Sequence, residues 1–550
     1  MMNRPFAWAL GTKDWCAILG LCILTFCVYA SSLGAALDVR QDDHRIIFFS
    51  GSGPVLADQV VTARDQAGKP MLPTIGWYLE SDVDGGRFRP INQVAEVLLP
   101  RMLGTNAFAW HLLVLLLAGL TSALLFLIGR RIGGSWKEGA VLALLVVLAP
   151  DPGPAKIWYM MSVKAESLGA IFLLVGLLAT FRAAAPTGRA RDEILPLVLI
   201  AAAMLTKEPF ALLLPALLFI RLGLPILLGH QARWREMPRL KLVVTAYVGL
   251  GLLYAGAMAI LIATAPPKSY GTQSLRDWSM FEDGLRMTLM QLPNQASWFL
   301  PVLLVMAACI WRCGPAALVR AFAFPFALTA IWIAPQILLY ALRGGMWDHY
   351  WMPSILALAA LNAWSLHLLR MKGPRLAYVL ALTGLVVYLA NGARTNAQAA
   401  ANYAQRTLVR MEAVNALVKE VPRGGKVVIV ADNKVFSEYA FSWIFFAGNA
   451  GLADAAYLLY DVTQPYPTRF HKTVYFPLAP ALEPAGSCDV DAIVFINPPA
   501  TTDSAWARWY RSDCFHIRSF VRPQTYFSMR KLDFLNEPFT LEVAFRTQAR

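Results

Sequence analysis

The sequence predicts a polytopic α-helical membrane protein with an extracytoplasmic α/β domain at its C-terminus. Three observations predict it: apolar runs of membrane-crossing length, an uneven distribution of basic residues between them, and a shift to soluble-domain composition near residue 394. The 550 residues are 57% hydrophobic and 15% charged, with a mean hydropathy of +0.49. That is more apolar surface than a soluble core can hide.

Crossing about 30 Å of hydrocarbon at about 1.5 Å per residue takes roughly 20 apolar residues. Runs of this kind fall at 15–37, 107–128, 138–150, 166–181, 194–206, 209–228, 242–264, 295–311, 321–341, 351–369 and 376–391, about eleven transmembrane helices in all. The third and fifth are short for a full crossing and fit tilted, broken or re-entrant helices. The first follows a short basic segment but lacks a convincing small-residue cleavage site, so it reads as a retained anchor.

Alternate connections differ in charge. One set holds Arg4, Lys13, Arg130, Arg131, Lys137, Arg182, Arg189, Arg191, Arg221, Arg233, Arg235, Arg239, Lys241, Arg312, Arg320, Arg370, Lys372 and Arg375, against Lys156, Lys164, Lys207, Lys268, Arg276, Arg286 and Arg343 in the short loops of the other: 18 against 7. Basic loops stay inside, which places the N-terminus in the cytoplasm. An odd number of spans then puts the C-terminal domain outside a bacterial-type inner membrane. The net charge of +14 is thereby a topology signal, and no nucleic-acid partner is expected.

Two regions stand apart from the spans. Residues 38–106 form a large outer loop, too long for a plain connector, ending in amphipathic material from Ile91 to Leu103 suited to the membrane surface. The transmembrane domain is expected over 1–393 and the soluble domain over 394–550. In the latter, 396–420 and 437–449 read as helices, and Lys426–Ala431 (KVVIVA) and Asp491–Ile496 (DAIVFI) as buried strands, an α/β pattern. Neither strand is followed by a Gly-rich phosphate loop, so nucleotide binding is not supported. Cys488 and Cys514, both in this domain, are candidates for one disulfide in an oxidising compartment.

Five polar clusters fall on the expected outer face. The first is Asp38-Val-Arg-Gln-Asp42-Asp43-His44-Arg45, whose paired carboxylates are either solvated loop charge or a general base with a neighbour that tunes it. Gly86-Arg87-Phe88-Arg89-Pro90 offers two cations for an anion, or an interfacial anchor. Met161-Ser162-Val163-Lys164-Ala165-Glu166 places a charged pair at the mouth of the fourth span. Leu205-Thr206-Lys207-Glu208-Pro209 sets a Lys-Glu pair in the turn of a very apolar hairpin, which is costly unless the charges are paired, face a cavity or snorkel to the interface. The fifth cluster, Arg343-Gly-Gly-Met-Trp347-Asp348-His349-Tyr350-Trp351-Met-Pro353, has tryptophans and a tyrosine that an aromatic belt explains without any function. Acids able to act as a base and cations able to hold a phosphate, gathered on one face, point to chemistry on a lipid-linked phosphate.

In order along the chain, DDHRII, GRFRPI, LLPRMLGTNAFAWHLLVLLLAGLTSALLFLIGRR, MSVKAESL and LTKEPFALLLP resemble the polytopic GT-C glycosyltransferases, most of all the O-mannosyltransferase-related family 39 branch. The resemblance covers about residues 15–225 and is topological from there to 391. It implies an inverting transfer of sugar from a polyprenyl-phosphate donor to a hydroxyl of a periplasmic or cell-envelope acceptor, whether glycan, lipid or protein. It implies Asp42 as general base with Asp43 assisting, and Lys207 near the donor phosphate; charge developing on the departing phosphate calls for a positive field, which Lys207 would supply with Arg87, Arg89 or His349 as helpers. Lys164 stands where many relatives carry Arg, which leaves its role open. No nucleotide or redox cofactor is required. Some GT-C branches use a divalent metal, for which this sequence offers no compelling ligand set.

Other readings of the same features are a flippase or transporter of lipid-linked sugars and a ligase or polymerase of surface polysaccharide. Transporters commonly show matching halves, and no internal repeat is found here. The topology makes a direct prediction: a reporter active only outside the cytoplasm, fused after Arg550, should be active. Activity of a cytoplasm-only reporter there would overturn both the orientation and the single-face grouping of the five clusters.

Overall fold

The computed structural model describes residues 10–39, 43–50, 70–84, 86–149, 155–160, 164–185, 188–227, 239–264, 278–291, 300–342, 350, 352–431, 436–452, 455–461, 490–495, 514–528 and 533–547. Among these the helices are α1 (Thr12–Tyr29), α2 (His44–Phe49), α3 (Met71–Asp84), α4 (Pro90–Leu103), α5 (Ala107–Gly133), α6 (Trp136–Val147), α7 (Lys164–Ala183), α8 (Ile194–Thr206) and α9 (Leu214–Leu227). There follow α10 (Leu240–Thr264), α11 (Trp278–Gln291), α12 (Leu300–Cys313), α13 (Pro315–Leu342), α14 (Met352–Lys372), α15 (Arg375–Glu420) and α16 (Phe436–Ala447). The strands are β1 (Lys426–Ala431), β2 (Ala456–Asp461), β3 (Ala492–Phe495), β4 (Phe515–Ser528) and β5 (Asp533–Arg546).

Seven segments among the described residues are long and apolar enough to cross a membrane: Thr12–Gly34, Ala107–Gly133, Ala165–Ala183, Leu240–Thr264, Ala321–Ala341, Met352–Lys372 and Arg375–Glu420. The other four expected spans are the shorter helices α6, α8, α9 and α12, of 12, 13, 14 and 14 residues. The chain is thus a polytopic helical membrane protein whose full crossings are interspersed with shorter apolar helices. Large apolar side chains turn outward, including Leu19 and Ile23 on α1, Leu252 and Leu253 on α10, Trp311 on α12 and Val387 on α15. Such a surface suits lipid.

By internal packing the chain forms two compact units. The first comprises Met1–Ala30, Asp82–Asn92 and Leu113–Ala397; the second comprises Ser31–Ser81, Gln93–Leu112 and Gln398–Arg550. In the first unit, α5 and α6 meet backbone to backbone. A Cβ on Gly129 would stand 2.7 Å from the Glu138 carbonyl, and one on Gly139 would stand 2.6 Å from that of Phe126. Small residues are what allow such an approach without a side-chain layer. Charges in this bundle come with partners: Arg130 donates to Asp14 at 2.6 Å, Arg370 pairs with Glu138 at 2.9 Å, and Arg221 grips both oxygens of Glu193 through Nε at 3.1 and 3.2 Å. Arg221, read from sequence as an inner-loop charge, is a buried helix residue with a buried partner. Its place in the topology tally falls away, and the 18-to-7 contrast hardly changes.

The second unit contains a five-stranded sheet of order β2-β1-β3-β5-β4. β1 is parallel to β2 and β3, while β3–β5 and β5–β4 are antiparallel. β1 and β3 are the two strands legible from sequence, because Val427 to Ile429 and Ala492 to Phe495 are buried. α16 packs on α2 and on β1 and β2. The last expected span and the helix expected at 396–420 are one helix, α15, of 46 residues. Cys514 is disulfide-bonded; Cys488 lies outside the described residues.

The Arg221–Glu193 pair ties α9 to the start of α8, and breaking one side of a buried pair costs about 3–5 kcal/mol because the other charge is left stranded. Glu193→Gln should therefore lower the thermal-unfolding midpoint in detergent. Replacing both residues by Met should lower it less, because no charge is then left uncompensated. Equal losses in the two variants would show that the charges are not coupled.

Candidate functional site

In the first unit the site is built on a helix break. Glu208 precedes Pro209, which disfavours a continuous helix there. α8 ends at Thr206 and Lys207 is extended, at φ −157° and ψ 138°. The chain then restarts as a 3-10 turn over Glu208–Leu213, before α9. Gln336 of α13 fixes the break by donating to the Pro209 carbonyl at 2.7 Å. α7 closes on the same turn because Gly169 leaves room for Phe210; a Cβ at 169 would come within 2.2 Å of its ring. Gly169 lies three residues after Glu166, on the same face of α7. The close approach therefore brings the Glu166 carboxylate to the Lys207 ammonium, which donates to Oε1.

The arginines arrive from a second turn. α3 ends in a Schellman motif: Gly86 has φ +75°, its N–H donates to the Val83 carbonyl at 2.8 Å, and that of Arg87 to the Asp82 carbonyl at 2.9 Å. A left-handed residue at this position favours glycine, and Pro90 opens α4 where its missing N–H costs nothing. Arg87 Nε then donates to Glu208 Oε1 at 3.1 Å. Arg89 holds Asp82 with two bonds, 3.2 Å from Nε and 2.6 Å from Nη2, and lies 4.0 Å from Glu208. Lys207 also faces the ring of Tyr350, 4.5 Å from its centroid, and Tyr350 stacks on Tyr340 at 4.6 Å.

Lys207, Glu166, Glu208, Asp82 and Arg89 are all buried. Burial pushes the Lys207 ammonium below its ordinary pKa, and Glu166 only partly restores it. Burial acts on Arg87 in the same sense, but Glu208, Asp82 and Tyr350 outweigh it and raise its pKa, so it stays cationic. The result is a desolvated cluster of fixed cations, each with its own carboxylate. The sequence reading paired Lys207 with Glu208 and Glu166 with Lys164. The structure instead gives Lys207 to Glu166 and Glu208 to Arg87. Adjacent side chains point apart, so neighbours in sequence find partners on other elements.

In the second unit the acidic loop is tied down from within. Asp38 and Arg410 of α15 form a buried ion pair, with the Arg410 guanidinium 5.3 Å from the Phe539 ring centroid. The Ala36 N–H donates to Thr407 Oγ1 at 3.0 Å. Asp43, also buried, accepts from the Asp38 N–H at 2.7 Å. This bond joins Asp43 to the backbone of Asp38. Asp43 thus binds backbone, and Asp38, given no role from sequence, is anchored by an ion pair.

Of the expected site residues, Arg87, Arg89 and Lys207 come together in the first unit, and Asp43 sits in the second with Asp38 and Arg410. Asp42, His349 and the Lys164 side chain lie outside the described residues. Sequence reasoning missed Asp82 and set Tyr350 aside as belt; the Gly86-Arg87 turn between Asp82 and Arg89 was the available clue to Asp82. Among the described residues no group of three or more His, Cys, Asp or Glu side chains is placed to hold a metal ion.

No family's sequence profile matches the chain. No curated protein matches it in sequence. Among solved structures, it is similar to the crystal structure of ArnT from Cupriavidus metallidurans bound to undecaprenyl phosphate, at a TM-score of 0.48 and 13% identity over 97% of this chain and 98% of that one.

Proposed function

We propose that this protein is an inverting GT-C-type glycosyltransferase of a bacterial-type inner membrane, N-terminus inside, that moves a sugar from a polyprenyl-phosphate donor to a hydroxyl of a periplasmic or cell-envelope acceptor. The observation that carries the reading is the buried Lys207–Arg87–Arg89 network at a helix break, a cation set suited to a desolvated phosphate. The motif resemblance over residues 15–225 supports it.

The reaction needs little beyond positioning. The acceptor oxygen attacks the anomeric carbon in line, the bond from that carbon to the phosphate oxygen breaks, and its electron pair leaves with the lipid phosphate, inverting the centre. The acceptor proton passes to the Asp42 carboxylate. Asp43 assists it, and the cations offset the charge that grows on the departing phosphate.

Lys207→Ala should raise the donor KM, and because it strands Glu166 the comparison belongs with Lys207→Ala/Glu166→Ala. Lys207 loses its proton as pH rises through its lowered pKa, so wild-type donor affinity should fall at a pH below the ordinary lysine value of about 10.4. Lys207→Arg should extend that affinity to higher pH. Normal donor dependence in Lys207→Ala would reduce the lysine to a structural partner of Glu166.

The three aspartates should separate by phenotype in a transfer assay with radiolabelled polyprenyl-phosphate sugar. Asp42→Asn removes the base and should cost about 10² to 10⁴ in rate with insertion and donor binding intact. Asp43→Asn should cost less. Asp38→Asn strands the buried Arg410 and should lower the unfolding midpoint, by about 3–5 kcal/mol in stability, more than the turnover of the folded protein. Near-normal turnover in both Asp42→Asn and Asp43→Asn would sink this mechanism and leave a flippase of lipid-linked sugars as the leading reading.

A further inference from the structure

Each cation of the network holds a carboxylate, but the three pairs are not alike. Arg89 and Asp82 are joined by two bonds across seven residues of chain. Arg87 meets a carboxylate that also lies 4.0 Å from Arg89. Lys207–Glu166 joins the α8 break to the first turn of α7, 41 residues apart. Its ammonium has three donors, with Glu166 on one side and the Tyr350 ring on another. It is the pair that one incoming anion can open without dismantling a turn.

A transferase acting on a lipid phosphodiester has a charge problem at the end of its cycle. The donor carries one negative charge, whereas the phosphate monoester left behind carries about −1.5 to −2 near pH 7. A buried ammonium would hold the product more tightly than the substrate, and the carrier would clog the site. A carboxylate already within reach of the same ammonium offsets this: it competes for the cation and repels the more highly charged product.

We propose that Glu166 is a resident competitor for the carrier phosphate, holding Lys207 in the empty site, yielding it to the bound lipid phosphate, and reclaiming it to release the spent carrier. This rests on the reading of Lys207 as a phosphate ligand. Glu166 touches neither sugar nor acceptor in this scheme, and acts through Lys207 as a positioning residue.

The test is binding of undecaprenyl phosphate to the full chain in detergent, for wild type, Glu166→Gln and Lys207→Ala. Removing the competing charge should tighten binding about tenfold, the equivalent of one charge-assisted hydrogen bond returned to the ligand. In the transfer assay the same variant should show a lower donor KM together with a lower kcat, as release slows; a purely structural glutamate would give neither the gain in affinity nor that split. If Glu166→Gln does not fold, Glu166→Asp carries the test, since withdrawing the carboxylate by one methylene should also tighten binding. Binding unchanged or weaker in whichever variant folds, with Lys207→Ala impaired, overturns the competitor and leaves the phosphate site standing. Undiminished binding in Lys207→Ala overturns both.

Discussion

A charge carried into a helix bundle within a membrane has to bring its counter-charge with it, because unpaired burial in a medium this apolar costs several kcal/mol. That constraint organises the first unit. Asp14–Arg130, Glu138–Arg370 and Glu193–Arg221 each tie one helix to another. The same rule shapes the network at the α8 break, where three cations meet three carboxylates among the described residues. What differs is the backbone beneath. The first three pairs are carried by residues within helical turns, whereas Lys207 sits on an extended residue between two helical pieces, so its backbone lies at the interruption itself.

The break, in turn, depends on small and rigid residues. Pro209 stops α8, Gly169 admits Phe210, and Gly86 with Pro90 turns the chain between α3 and α4 so that both arginines approach the same place. None of these residues carries charge, yet each fixes where one does. A larger side chain at 169 would meet the Phe210 ring and push Glu166 away from Lys207.

Sequence displayed the long spans, the strands KVVIVA and AIVF and the helix at α16, because each has the length and periodicity of its type. It hid the continuity of α15, where polar residues from Asn391 to Gln398 read as the end of a span; they contain no proline, and nothing else stops a helix there. It also hid β4 and β5, a hairpin of two 14-residue strands in which Ile517 and Val521 are exposed while Phe520 is buried. In the candidate site the cations were legible and their partners were not. Lys207-Glu208 and Lys164-Ala165-Glu166 look like local ion pairs on paper, but the carboxylates are claimed by residues 41 and 121 positions away. Only the fold decides that.

The acidic loop makes the same point about roles. Three aspartates fall within six residues, and the two described ones have partners of different kinds: Asp38 is spent on Arg410, and Asp43 on the backbone of Asp38. Anchoring of this kind is what a general base requires of its surroundings, since a carboxylate on a loose loop would lose the alignment that makes proton transfer fast. On the proposed reading, then, the pair at 42 and 43 is a division of labour. Asp42 does the chemistry with Asp43 assisting, and the buried Asp38–Arg410 pair anchors the segment that leads to them.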